Sequence, residues 1–332
     1  MSNLWVIDVS PVLYTGNTSP RYQERSQYGY PTGGLVYLNA YIANAAAEGG
    51  DIVFVYDSPT DRASICGSYK NGRTSNAAVV SHLKLSHDAY TKAGFCVLKK
   101  DGYEADDLIY SVVKKYKDNY NNIFIVTNDM DISHNVQPGV EIRACSSNAS
   151  SVNMENFCDI VHKGVSVTWN TISAYKTFCG CQSDCVKGIS AEDGTPGSKL
   201  YEEYVSYLRE HYMFTYEETT SPDRLCAFAI ARGVKESVIK EQISVIFPRF
   251  ADIEVHETKL NMTSFQAYLA LIGDYDSCKR MGIEKPHISQ VQRTYLEELK
   301  KQLADAPIAL GVPKVVPVHT SSLDAFQKDA PW

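Results

Sequence analysis

Glu104, Asp106 and Asp107 place three carboxylates within four positions of a 332-residue chain. Leu108, Ile109, Val112 and Val113 follow them at helical spacing, so the acids belong to the first turn of a buried helix. The positive end of a helix favours a carboxylate by about 0.3–1 kcal/mol. Two like charges ~4 Å apart repel by roughly 4 kcal/mol at an effective dielectric of about 20. The helix end alone therefore does not hold three anions: they splay into water or a cation gathers them. Asp8, Asp57, Asp129 and Asp131 follow short apolar runs elsewhere in the chain and add to the same pattern. All-oxygen ligand sets select hard ions such as Mg2+ or Mn2+, and enough acids for two ions suit the hydrolysis of phosphate esters.

The elements that must position these acids are legible as alternating strands and helices. Residues 4–9, 51–57, 95–98, 122–127 and 140–145 read as buried strands, and 35–47 and 77–93 as helices between them, the latter with Val79, Val80, Leu83 and Tyr90 on one face. The stretch 15–34 is polar, shows no period and reads as a long loop carrying Arg21 and Arg25. Alternation of this kind implies an α/β fold with a mostly parallel sheet, flanking helices and right-handed crossovers. Such a sheet brings the strand C-terminal ends, and with them Asp8, Asp57, Asp129 and Asp131, to one edge, where ligands bind. The helix opened by Glu104 starts at that same edge. From about residue 167 helical patterns dominate, with helices expected over 168–178 and 200–212. The expected organisation is a core over 1–166 with a short arch at about 70–100, a helical region over 167–302 and a flexible tail over 303–332.

Composition sets the outer bounds. Hydrophobic residues make up 44% and charged residues 21%, as in water-soluble folded chains. No run approaches the ~20 apolar residues of a membrane span, and the first residues carry no basic, apolar leader pattern. Nine cysteines without framework spacing point to a reducing compartment, hence the cytoplasm. The net charge of −7 disfavours a polyanion-binding surface, unless acids bind divalent ions and reverse the local sign. Cys179, Cys181 and Cys185 lie close together, but no fourth ligand has a zinc-site spacing, so buried free thiols are expected. The eight histidines are scattered and none is assigned.

Seven short motifs in order give the chain a resemblance. They are Val6-Ile7-Asp8, Pro31-Thr32-Gly33-Gly34, Phe54-Val55-Tyr56-Asp57, Tyr69-Lys70 with Arg73, Tyr103-Glu104-Ala105-Asp106-Asp107, Thr127-Asn128-Asp129-Met130-Asp131, and Gly180 with Ser183-Asp184. The chain resembles the flap endonuclease or 5′-nuclease family: the 5′-nuclease domain of bacterial DNA polymerase I, phage 5′-3′ exonucleases and the T-even phage ribonuclease H. That resemblance implies a PIN-like nuclease core. It implies a metal-dependent hydrolase acting on DNA 5′ ends, flaps or RNA–DNA hybrids, in primer removal during bacteriophage replication within the host cytoplasm. It also implies site residues. Asp8, Asp57, Glu104 and Asp106 would hold a first Mg2+ or Mn2+. Asp129, Asp131 and Asp184 would hold a second, with Asp107 in or beside the shell. Lys70 and Arg73 would lie at the arch base, aimed at the scissile phosphate, and Arg62, Gly33 and Gly34 would contact nucleic acid. Gly188, Gly197 and Lys199 fall where the family grips duplex phosphates through a helix–hairpin–helix-like turn, often around K+.

Two departures bear on the reading. Cys181 stands where the family often has an acid, and a neutral thiol is a poor Mg2+ ligand. The expected arch is also short for threading a free 5′ end. Other readings are a structure-specific DNA-binding protein weakened in catalysis by Cys181, and a PIN-type ribonuclease. A receiver-type signalling domain fits poorly, because its acid pair follows the first strand rather than the third. The tail segment Ser322-Leu323-Asp324-Ala325-Phe326 partly resembles a sliding-clamp peptide; clamp and single-strand-binding protein are the protein partners considered, with a monomeric chain.

Overall fold

The computed structural model describes residues 2–19, 31–71, 77–146, 150–161, 167–213 and 220–282, with part of 293–301. Arg21, Arg25, Arg73 and the clamp-like tail lie outside the described residues. In chain order the elements are β1 (Leu4–Asp8), α1 (Val9–Thr18), α2 (Gly33–Ala47), β2 (Asp51–Val55), α3 (Arg62–Ile65), α4 (Ala77–Ala93), β3 (Cys96–Leu98), α5 (Ala105–Tyr116), β4 (Ile123–Val126) and β5 (Val140–Arg143). These are followed by α6 (Phe157–Val161), α7 (Ile172–Cys179), a hairpin of β6 (Gly180–Cys181) with β7 (Val186–Lys187), and α8 (Gly197–His211). Further helices span Pro222–Ala231, Glu236–Ile246, Met262–Ile272 and Tyr275–Arg280.

The five long strands form one parallel sheet in the order β3-β2-β1-β4-β5. The strands read as unbroken apolar runs because both faces of the sheet are covered. Leu4, Val6, Val53, Val55, Ile123 and Ile125 point into one core, shared with α5, α7 and α8. Their neighbours Trp5, Ile7, Ile52, Phe54, Phe124 and Val126 point into the other, shared with α1, α2 and α4. The strand order reverses at central β1, so β1, β2 and β4 deliver their ends to a common switch point.

Three expectations are corrected. Residues 15–18 are not loop: α1 starts directly from β1 and buries Val9, Val12, Leu13 and Gly16. The segment 77–98 is not an arch. Its helix α4 buries Val79, Leu85, Ala89, Tyr90 and Ala93 in the core, with Val80 left exposed, and β3 completes the crossover. Nor does the core divide near residue 167. One apolar cluster runs from Leu4 through Phe178 to Ile253, and the helix Met262–Ile272 returns to pack with α4.

Candidate active site

β1 ends in Asp8, and β4 runs beside it with Val126 opposite Ile7. The next residue, Thr127, donates its hydroxyl to Asp8 Oδ2 at 2.9 Å and accepts the Asp129 N–H at 3.0 Å. One threonine thus ties two strand-end acids together. On the other side of β1, Asp57 accepts the Ser10 hydroxyl at 3.0 Å and the N–H of Ala105, first residue of α5, at 2.9 Å. The free amide at the helix start serves an acid from the neighbouring strand. Asp106 takes no hydrogen bond from the described residues and lines both cavities of the site. Burial, then the charges of Asp57, Asp106 and Asp129, push the Asp8 carboxyl well above its usual range. Burial and Asp129 do the same to Asp106, against the pull of Lys70. This all-oxygen group is held together against its own repulsion, and that donor set fits a hard divalent ion.

Lys70 stands over the group. Its φ of 50° is left-handed, a backbone state few non-glycine residues adopt. Its N–H donates to the Asp184 carbonyl at 2.9 Å, and its ammonium donates to Glu104 Oε1 at 2.9 Å. Glu104 Oε2 accepts from Arg62 and, at 2.6 Å, from the Tyr69 hydroxyl. Burial pushes the Glu104 carboxyl up, but Lys70, Tyr69 and Arg62 together outweigh it and leave it below its usual range.

A second cluster joins Asp131, Cys181 and Asp184, whose ligand atoms lie within 4.8 Å of one another. Lys176, on α7, pairs with Asp131 Oδ1. Asp131 Oδ2 instead accepts from the Ser183 hydroxyl at 2.9 Å and the Cys181 thiol at 3.2 Å. Burial raises the Asp131 carboxyl, yet Lys176 and these two donors hold it well below its usual range. Between the clusters lies a cavity of about 20 Å³, walled by Asp106, Asp131, Lys176 and Asp184, enough for one water or ion. Beside it opens a cleft of about 680 Å³ lined by Asp8, Asp57, Lys70, Asp106, Asp129 and the ring of Tyr14, which is 55% exposed.

Three assignments change. Asp107 is 0% exposed and accepts from Arg62 at 2.6 Å, the Arg249 N–H at 2.7 Å and the Glu104 N–H at 3.1 Å. Its oxygens cap α5 and pair with Arg62, which places it beside the acid group rather than in it. Arg62 is 3% exposed and bridges Glu104, Asp107 and the Phe247 carbonyl at the wall of the ion-sized cavity, so its guanidinium serves buried protein partners. Gly33 and Gly34 are buried in α2. A Cβ at Gly34 would stand 2.9 Å from the Leu13 carbonyl oxygen, so this glycine serves the α1–α2 packing rather than nucleic acid.

Gly188 and Gly197 have a structural use too. A Cβ on Gly197 would lie 2.0 Å from the Phe178 carbonyl oxygen, and one on Gly188 2.7 Å from that of Cys179. They let the α8 start and the hairpin close on the end of α7. Gly188 and Lys199 are exposed at this turn; Gly197 is buried. Gly197→Ala is expected to cost about 1–3 kcal/mol through overpacking, read from denaturant unfolding; a cost near zero would mean that the turn moves freely.

The residues missed from sequence are Lys176, Arg249 and Tyr14. Arg249 locks the turn before α5, pairing with Asp61 at 2.8 Å and donating to the Gly102 carbonyl at 2.8 Å. Lys176 and Arg249 lie far along the chain from the acids they serve. Tyr14 had a signal, six residues after Asp8 on helix α1 and just before the stretch 15–34 read as a loop.

Residues 3–162 match the family model described as 5′-3′ exonuclease, N-terminal resolvase-like domain. The chain is 25% identical over 156 residues to a 5′-3′ exonuclease of Mycoplasma pneumoniae, covering 47% of this chain and 54% of that one. It is 27% identical over 174 residues to a 5′-3′ exonuclease of Mycoplasma genitalium, covering 51% and 57%. The chain thus spans about half the length of these curated relatives. Among solved structures, the T5 D15 protein co-crystallised with metal ions matches with a TM-score of 0.48 and 13% identity, over 92% of this chain and 99% of that one.

Proposed function

We propose, for a chain whose residues 3–162 match the 5′-3′ exonuclease N-terminal domain model, a divalent-metal-dependent 5′ nuclease that hydrolyses phosphodiester bonds at DNA 5′ ends and flaps or in RNA–DNA hybrids. The observation that carries this reading is the convergence of Asp8, Asp57, Asp106 and Asp129 with Lys70 on one cleft at the sheet switch point. The proposed biological setting is primer removal in replication.

In this reading Asp8, Asp57, Glu104 and Asp106 would hold one ion and Asp129, Asp131 and Asp184 a second, and such a pair, when bound, would supply water activation and charge neutralisation at the phosphate. The protein does the rest. Thr127 and Ser10 hold Asp8 and Asp57 at fixed angles. The Lys70 ammonium, high in pKa because Glu104 and Asp106 overcome its burial, stays protonated and faces the phosphate position. The exposed Tyr14 ring offers a stacking face for a base, which tolerates any sequence. Gly188 and Lys199 are placed to meet duplex phosphates, with K+ as a proposed companion ion there.

The direct test is cleavage of a labelled 5′-flap duplex beside an RNA-primed duplex, with and without Mg2+. Binding of the flap without cleavage under either Mg2+ or Mn2+ would replace the enzyme with a structure-specific binding protein, the reading that Cys181 favours. Lys70→Ala is expected to lower the single-turnover rate by about 10²-fold while leaving flap affinity within a few-fold, because its charge acts on the transition state. Loss of affinity with an intact rate at saturation would make Lys70 a tether.

A further inference from the structure

The geometry points to Asp131, Cys181 and Asp184 as a mixed sulfur–oxygen subsite that takes a thiophilic, zinc-class divalent ion, unlike the all-oxygen group around Asp8 and Asp106. This rests on the reading that the cleft binds divalent ions at all. The thiol is buried at the junction of β6 with its turn and is aimed at both acids: Sγ lies 3.2 Å from Asp131 Oδ2 and 3.7 Å from Asp184 Oδ2. The Ser183 hydroxyl, 3.0 Å from Sγ and 2.9 Å from the same Asp131 oxygen, adds a fourth donor.

The two oxygens of Asp131 divide the work. Oδ1 carries Lys176, and Oδ2 faces the sulfur. An ion can bind on the Oδ2 side without competing for the lysine position. Lys176 then offsets the negative charge that accumulates when the thiol gives its proton to solvent and its sulfur bonds the ion. A cavity of about 20 Å³ walled by Asp131, Asp184 and Lys176 adjoins the two acids, and the three ligand atoms lie close enough together to share one ion.

Donor softness decides the preference. Thiolate selects zinc-class ions, whereas carboxylate and water suit Mg2+. An all-carboxylate second group would not discriminate in this way. Replacement of one acid by Cys181 therefore changes which ion the second position takes, in addition to weakening it for Mg2+.

The test titrates the full, reduced chain with Cd2+ in excess Mg2+, which occupies the oxygen group. Cd2+ bound to thiolate gives an ultraviolet charge-transfer band. The expected result is a band saturating at one equivalent, lost in Cys181→Ser and in Cys181→Asp. It should persist in Cys185→Ser, whose thiol is exposed. Asp131→Asn should weaken Cd2+ binding by about 10-fold or more. Cys181→Asp should also lower the Mg2+ concentration needed for half-maximal cleavage. Near-UV circular dichroism checks that each variant is folded. No band in the wild type, or a band surviving in both folded Cys181 variants, overturns the inference. Cleavage of the flap in Mg2+ alone is scored separately, so a nuclease without the Cd2+ band sinks this subsite and leaves the nuclease standing. A protein with the band and no cleavage does the reverse.

Discussion

Asp106→Asn is expected to lower flap cleavage by at least about 10³-fold, or roughly 4 kcal/mol of transition-state stabilisation, and at the same time to make the metal-free protein more stable. Both effects come from one feature. Asp106 faces the ion-sized cavity and the cleft together, with no hydrogen bond from the described residues and with Asp57 and Asp129 as anionic neighbours. With ions present its charge is needed; without them its charge is a burden. The sign follows from linkage. Asp8 and Asp106 have folded-state pKa values raised well above 3.8, so their ionisation penalises the folded state. In chelator, stability should therefore rise on acidification from neutral through the raised range of these two carboxyls. It should fall again at lower pH, where Glu104 and Asp131, lowered in the folded state, lose the pairing that their charges support. Asn at position 106 flattens the first limb. Single-turnover cleavage and urea unfolding in chelator across this pH range give both readouts. Near-wild-type cleavage, or a destabilised metal-free variant, sinks the assignment.

The legible part of this fold was the part with a short period and local causes. The strands announced themselves as apolar runs, and the acids at their ends followed from sheet topology. Leu108, Ile109, Val112 and Val113 gave α5 its buried face, and all four are in the core. Helix α4 was legible over its full length, Ala77–Ala93, yet its use as a core crossover rather than an arch was not. Amphipathic spacing tells that a face is buried, not what buries it. Helix α1 was missed although Val9, Val12, Leu13 and Gly16 have helical spacing. The polar, aperiodic stretch from residue 15 read as a loop and hid the end of a helix that starts directly from β1.

Within the site, residue type misled where charge partners came from afar. The family resemblance made Arg62 a nucleic-acid contact and put Asp107 in or beside the metal shell. The structure spends them on each other. Gly33 and Gly34 looked like a backbone approach to phosphate; Gly34 makes room for Leu13 and Asn17. The partners Arg249 and Lys176 come from later helices and loops, and no local spacing reveals a pairing across 142 or 45 residues.

Arg62→Met tests that distinction and carries the largest expected stability effect, a loss of about 3–5 kcal/mol. The guanidinium is the common partner of two buried acids, Glu104 and Asp107. Burial pulls its pKa down, and Asp107 and Glu104 more than restore it, so it remains charged. Methionine fills similar space but leaves Asp107, with no solvent exposure, short of a cation. Asp107 keeps the Arg249 and Glu104 amides, which limits the loss but does not replace the charge. Because Glu104 also anchors Tyr69 and Lys70, cleavage should fall along with stability. A double-mutant cycle with Asp107→Asn should show a favourable coupling, since removing the acid relieves part of the damage done by removing the cation. Had Arg62 contacted nucleic acid, Arg62→Met would weaken flap binding with little change in urea midpoint. A stability change below about 1 kcal/mol together with lost affinity would return Arg62 to the binding surface and undo the buried bridge. Loss of stability with coupling to Asp107 makes the bridge the element that holds the head of α5, and hence Asp106, against the sheet edge.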